Sequence, residues 1–365
     1  MEFGLGNEQR ILQDSINDFL RANCPLDVVR RTADAGTTCL PALGDGLTAL
    51  GIPGVLIPEA HGGVGLQMLD AALVAEALGA AVAPMPFIGS AVMAPVALLR
   101  GGSAAQQARL LPGIAAGEIR FGVGVSEHTG RRDTDGIAAR GDVLDGKAMF
   151  VLDGMDAHWL LLADREGGLH LVAADAAGVS RTALQTIDRT RSFAEVRLDG
   201  VRGELLRASA GNRAVLQEVI DAGRLMLAAD TLGAAQTMLD RAVTYARERK
   251  QFDRAIGSFQ AVKHLCAEMA SELEPCRSLL WYAAHASQAL PDEARVMACH
   301  AKAHLAEVGR FVARTATEVH GGMGFTDLLG LHYWFKRIGV DRQLLGTPER
   351  VREEAAALQG FVPAA

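Results

Sequence analysis

Apolar residues recur at helical spacing through the first third of the chain. Ile11, Leu12, Ile16, Phe19 and Leu20 share one face of a first predicted helix, and Gly6 or Asn7 can cap its start. Positions 47–56 form a buried segment that ends at Pro58-Glu59-Ala60-His61-Gly62-Gly63-Val64-Gly65. A second helix then carries Leu69, Leu73, Val74 and Leu78, and helices are expected as far as Gly117. The period shortens between 121 and 206, where short apolar runs alternate with Gly, Asp and Arg clusters. Trp159-Leu160-Leu161-Leu162-Ala163 and Leu169-His170-Leu171-Val172 read as buried strands, and Val143-Leu144-Asp145-Gly146-Lys147 reads as a hairpin turning at Asp-Gly. From 212 onward helical spacing returns. Leu225, Ala229, Leu232, Gln236, Leu239, Val243 and Ala246 keep one face over roughly six turns, a length that calls for partner helices. Ser258 is expected to cap the next helix, through Val262, Leu265, Met269, Leu273 and Leu280, with a kink at Pro275. Two more helices follow, over 291–319 and 329–345. The pattern predicts a mainly α chain with a central β domain, divided as 1–118, 119–207 and 208–365.

Composition narrows the class. The 365 residues are long enough for two or three units around a large core, and 49% of them are apolar. A net charge of -7 with no basic run argues against a nucleic-acid partner. Five cysteines, Cys24, Cys39, Cys266, Cys276 and Cys299, contain no CxxC pair and read as small buried hydrophobes in a reducing cytoplasm. Glu2, Asn7, Glu8 and Arg10 interrupt any secretory signal. The uncharged run 77–99 is long enough to span a bilayer, but Pro84, Pro86 and Pro95 make it a loop and a buried helix, so no membrane association is expected. The ten histidines show no HExxH-type spacing, and no metal site is expected.

The turn at 58–65, then Arg247-Glu248-Arg249-Lys250-Gln251-Phe252 with Ile256-Gly257-Ser258-Phe259-Gln260, and then His320-Gly321-Gly322-Met323-Gly324-Phe325-Thr326 follow one another in an order and spacing that resemble the acyl-CoA dehydrogenase family. The resemblance covers nearly the whole chain. It implies an N-terminal helical domain, a β-barrel-like middle domain and a C-terminal four-helix bundle, assembled as dimers or tetramers. It also implies FAD between the sheet and the bundle, an acyl-CoA substrate, and an electron-transfer flavoprotein as acceptor.

Carried over residue by residue, the resemblance assigns Arg249 to the FAD pyrophosphate of a neighbouring subunit, a role suited to a forked guanidinium. Phe252 and Gln260 fall in the same motif, and Gly321, Gly322 and Gly324 would let a backbone turn approach the dinucleotide. Thr347 matches a position near the cofactor. Glu318 stands where the family has glutamine, and its carboxylate would repel a pyrophosphate unless compensated. Ser126, in Val125-Ser126-Glu127, keeps a flavin-lining hydroxyl, although His128 replaces the family's proline. Phe150 keeps an aromatic surface where the family has tryptophan, and Leu152 loses a hydroxyl near the ring. For Arg249 and Phe252 the alternative is a charged helix end with an ordinary core ring; for Phe150 and Leu152 it is an ordinary β core. His320 reads as packing. Arg131-Arg132 and Arg189-Thr190-Arg191 read as solvated, with a CoA phosphate contact as the alternative.

The reaction implied by the resemblance is α,β-dehydrogenation of a thioester, in which a carboxylate removes the α-proton and the flavin accepts a hydride. The family's two positions for that base are Leu345 and Gly223 here, and neither accepts a proton. Arg224 is retained, and Asp221 lies one helical turn earlier on its face, as a structural pair or as a displaced base; Glu218 is a weaker candidate on the neighbouring turn. The pattern resembles the base-lacking subunit of heteromeric enzymes of the steroid side-chain or dicarboxylyl-CoA type, which requires a homologous base-bearing partner. Two other readings stay open: a self-sufficient homo-oligomer using Asp221, and a non-enzymatic CoA- or flavin-binding scaffold.

Overall fold

The computed structural model describes residues 4–38, 40–130 and 136–362; Cys39 and the Arg131-Arg132 pair lie outside the described residues. The N-terminal part holds α1 (Asn7–Asn23), α2 (Leu26–Asp34), α3 (Pro41–Ala49), α4 (Met68–Ala80), α5 (Ala94–Gly101) and α6 (Ala104–Ala115). Gly6 caps α1, its N–H bonded to Gln9 Oε1 at 3.0 Å. α4 is buried along almost its whole length. Its apolar, small-residue sequence suits a helix enclosed on all sides. The proline-bearing run after it forms a loop and then a π-turn, Ile88–Met93, leading into α5.

Eight strands make one curled sheet: β1 (Phe121–Gly124), β2 (Ile137–Arg140), β3 (Val143–Leu152), β4 (Trp159–Ala163), β5 (Leu169–Ala173), β6 (Val179–Ala183), β7 (Phe193–Arg202) and β8 (Glu204–Leu205). The order is β6-β7-β3-β1-β4-β5-β8 with β2 on β3, and β1–β4 is parallel while the other pairs are antiparallel. The hairpin predicted within 143–147 does not form, since those residues all lie in β3; the chain instead turns from β2 into β3 at Gly141-Asp142, where Arg140 pairs with Val143. Asp145-Gly146 lies inside β3, where the register against β7 shifts by a bulge. Gly146 has φ +129°, and a side chain there would strike the Gly136 carbonyl, so this glycine serves a bulge rather than a turn.

The C-terminal helices are α7 (Arg213–Glu248), α8 (Gln260–Ala289), α9 (Pro291–His320) and α10 (Leu331–Gln343), with a fifth, α11 (Pro348–Leu358), packed on α9. Between α7 and α8, Lys250–Gln251 and Arg254–Ala255 pair as a small hairpin. α7 has 36 residues, so it extends about 54 Å at 1.5 Å per residue. It packs on α9, α8 and α10 and also on α4, joining bundle to N-terminal helices. That crossing is close enough that a Cβ at Gly233 would lie 1.8 Å from the Glu76 carbonyl oxygen, and one at Gly79 would lie 2.1 Å from that of Asp230. Ser258 does not cap α8: its hydroxyl donates to Ala255, and Phe259 occupies the cap position. α8 runs unbroken through Pro275.

A buried charge network ties the three parts together. Arg337 of α10 forms an ion pair with Asp188 at 3.0 Å and donates to Asp230 of α7 at 3.1 Å and to the Ala83 carbonyl at 3.1 Å. Arg191 meets Asp230 at 2.9 Å and Asp341 at 3.1 Å. Arg191 and Thr190 are therefore buried, which corrects the expectation of a solvated Arg189-Thr190-Arg191 segment. Arg189 alone is exposed, paired with Asp34. Burial pushes the Asp153 carboxyl, close to Arg191, up to about 7. Cys24, Cys276 and Cys299 are buried and Cys266 is half-buried, as small apolar side chains would be.

Candidate cofactor and substrate site

The two positions expected to carry a base touch one another. Gly223 sits mid-α7, and a Cβ built on it would lie 2.4 Å from Leu345 Cδ1 and 2.9 Å from Met93 Sδ. Leu345 follows α10 at φ +54°, a left-handed backbone that a branched side chain seldom adopts. Two basic side chains hold that turn in place. Arg224, 2% exposed, donates its Nε to the Leu345 carbonyl at 3.0 Å. Lys302 of α9 donates to the carbonyls of Arg342 at 3.2 Å and Gly346 at 3.4 Å. Burial pulls the Lys302 ammonium down to about 7.

Asp221 belongs to the same cluster. Its Oδ1 accepts from Arg224 at 3.1 Å and from Gln217 at 2.9 Å, and burial pushes its carboxyl up to about 6. The other end of Arg224 donates to Glu354 of α11 at 2.8 Å, and Arg295 donates to the second Glu354 oxygen at 2.6 Å. Burial opposes ionisation of Glu354, but these two guanidinium groups outweigh it and hold the carboxyl below its usual range. Burial pushes the neighbouring Cys299 thiol up to about 12. The result is a structural ion-pair cluster whose carboxylates are already engaged. Glu218 points elsewhere, paired with Arg100 at 3.0 Å.

The ring position itself is nearly closed. Ser126, Phe150, Leu152, Met93, Leu227 and Leu345 are among the residues around a cavity of about 30 Å³, which Asp221 does not line. The polar groups beside it are satisfied within the chain: Ser126 Oγ donates to the Met149 carbonyl, and Glu127 accepts the Met149 N–H at 2.7 Å. Phe150 has φ +51° and packs edge-on against Phe193 at 6.3 Å. A space of this size does not fit a three-ring isoalloxazine.

The other predicted residues form a separate, open surface. Tyr245 stacks on His320 at 4.6 Å and brings the C-terminal ends of α7 and α9 together; the His320 ring also bonds the Ala316 carbonyl, a packing role. Arg249 caps α7 and is exposed, and among the described residues its guanidinium is in no ion pair. Phe252 is 88% exposed at φ +53°, and Phe325 is 81% exposed. Phe252 therefore packs into no core of its own chain. Gln260 begins α8 and is exposed, as is Glu318 on α9. A Cβ at Gly321 or Gly322 would meet nothing, whereas one at Gly324 would lie 2.6 Å from the Thr317 carbonyl, so Gly324 serves the chain's own packing. Among the described residues the Arg249 guanidinium is a forked, unpaired donor displayed to solvent, chemistry suited to a phosphate.

Thr347 is the N-cap of α11, its hydroxyl accepting from Arg350 N at 3.4 Å. Sequence reasoning missed α11 and with it Glu354, although Thr347 followed by Pro348 is an N-cap with proline at the first helical position. Lys302 was also missed; a lone lysine in an amphipathic helix carries no signal that it points inward.

Comparisons with known proteins agree with this architecture. Family models for the acyl-CoA dehydrogenase N-terminal and C-terminal domains match residues 6–118 and 210–358. The chain is similar to acyl-CoA dehydrogenase IpdE2 of Mycolicibacterium smegmatis, 29% identical over 98% of this chain and 100% of that one. To IpdE2 of Mycobacterium tuberculosis it is 30% identical over 83% and 81%. A chain of a variant of the Tcur3481-Tcur3483 steroid acyl-CoA dehydrogenase superposes with a TM-score of 0.88 at 29% identity, covering 98% and 99%. One from the ChsE4-ChsE5 complex of Mycobacterium tuberculosis gives 0.91 at 27% identity, covering all of both chains. The chain belongs to the acyl-CoA dehydrogenase family, FAD-dependent oxidoreductases acting on CH–CH bonds. Among the described residues no helix is long and apolar enough to cross a membrane.

Proposed function

We propose that this chain is the base-lacking subunit of a heteromeric acyl-CoA dehydrogenase in the cytoplasm. The observation that carries the reading is the contact between Leu345 and Gly223: both base positions lack a proton acceptor, and the side chain of one fills the space beside the other. FAD, when bound, supplies the hydride acceptor for oxidation of the thioester. This chain would contribute Arg249 to the phosphates of a partner's cofactor, with Phe252, Gln260 and the Gly321-Gly322 turn beside it. Its Leu345, Met93 and Phe150 would exclude both water and acyl group from its own ring position. Two relatives that are paired proteins support a heteromer, and the fact that one of them is a steroid acyl-CoA dehydrogenase supports a bulky thioester as the partner's substrate. An electron-transfer flavoprotein would take the electrons.

Asp221 is not a base in this reading, because two hydrogen bonds hold it outside the ring cavity. Purified alone, the chain should oxidise no acyl-CoA with a dye acceptor; co-purified with a base-bearing homologue it should do so. Efficient turnover by the chain alone would defeat the proposal. Turnover that survives Asp221→Asn in the complex is expected.

A further inference from the structure

An apolar recess in the N-terminal part is separate from the ring cavity and shares with it the wall formed by the Ile88–Met93 turn. It measures about 560 Å³ and sits between α3, the Ile88–Met93 π-turn and the connection from α6 to β1. Its volume is within the range of ordinary small-molecule sites, whereas the ring cavity holds about 30 Å³. Leu47, Ile52, Leu78, Phe87 and Ile114 line it and are all buried. Ser90, also buried, supplies a polar group in its wall. Among the described residues the Ser90 hydroxyl makes one bond, accepting the Phe121 N–H at 3.1 Å, so its own proton has no acceptor. A buried hydroxyl gains by donating, and a ligand in the recess could take that bond.

The lining includes three carboxylates, Asp45, Glu118 and Asp156, all exposed, against one guanidinium, Arg120, whose Nε already donates to the Asp156 carbonyl at 3.2 Å. This charge balance repels anions such as a free fatty acid or a CoA ester. We propose that the recess is a second binding site, for a neutral and largely apolar molecule carrying one hydrogen-bond acceptor, such as a ketone, directed at Ser90. The π-turn is the wall shared with the ring position: Ser90 and Ala91 line the recess, and Ile88 and Met93 line the small cavity. Such turns recur at functional sites. Binding there is independent of the dehydrogenase reading.

The test uses prodan, a neutral aryl ketone whose emission shifts to the blue on leaving water, titrated into the full chain. Saturable blue-shifted emission is expected, with no displacement by dodecanoate. Ser90→Ala should weaken binding about three- to tenfold, the effect of one net hydrogen bond. Thr48→Trp, which fills the recess from α3, should abolish saturation. Because that variant changes packing, the surface pair Asp45→Lys with Glu118→Lys gives an independent readout: it should let dodecanoate compete with prodan. Absence of saturable binding, displacement of prodan by dodecanoate from the unaltered chain, or competition unchanged by the lysine pair would overturn the proposal.

Discussion

At Gly223 the helix has no room for a side chain, since Leu345 and Met93 already occupy it. Restoring the missing carboxylate there should therefore cost stability without giving activity. Gly223→Glu is expected to lower unfolding free energy by at least about 1–3 kcal/mol, the usual cost of overpacking, with no gain in turnover by the chain alone. A urea midpoint and a dye-reduction assay check both halves. That Gly223 and Leu345 carry no proton acceptor could be read from the residues, with their role as base positions resting on the resemblance; that the two positions touch could not, because they lie on elements far apart in the chain. Lys302 gives a pH signature. Its folded value is near 7 and its unfolded value near 10.5, so the folded state binds fewer protons between them. Stability should then rise with pH across that window, being complete above it and lost as pH falls through 7. The neutral amine still has two N–H groups for its two carbonyls. Melting temperatures measured from neutral pH upward should climb for the unaltered protein relative to Lys302→Met; parallel curves would refute the assignment.

At the scale of elements, periodicity located the long helices well because each buries a continuous face over many turns, as α7 and α9 do. It misplaced features that depend on a single pair of residues. Asp145-Gly146 has the composition of a hairpin turn, yet the register of β3 against β7 uses it as a bulge. Arg191 looked solvated because its partners Asp230 and Asp341 come from α7 and α10, far away in the chain. The loop before β7 is held to both helices by this network and by Arg337. Arg337→Met would leave Asp188 and Asp230 buried without that counter-charge, and a loss of about 3–5 kcal/mol is expected for breaking a buried pair on one side. Chemical denaturation measures it. A change below about 1 kcal/mol, close to the scatter of surface substitutions, would mean that the network is solvated.

For the whole molecule, the closed ring position and the open Arg249 face lie in different parts of one chain, and only the second is exposed to solvent. The Arg249 motif could be picked out in the sequence, since it is local. The degree of closure was not readable, because it depends on how Met93, Phe150 and Leu345 meet across three separate elements. In the proposed assembly this chain serves a partner's cofactor and holds none in its own ring position. Flavin content of the complex with a base-bearing homologue, measured by absorbance after denaturation, tests this most directly. One flavin for each pair of chains is predicted, with retention lost on Arg249→Gln in this chain; two flavins for each pair, or retention indifferent to Arg249→Gln, would contradict it.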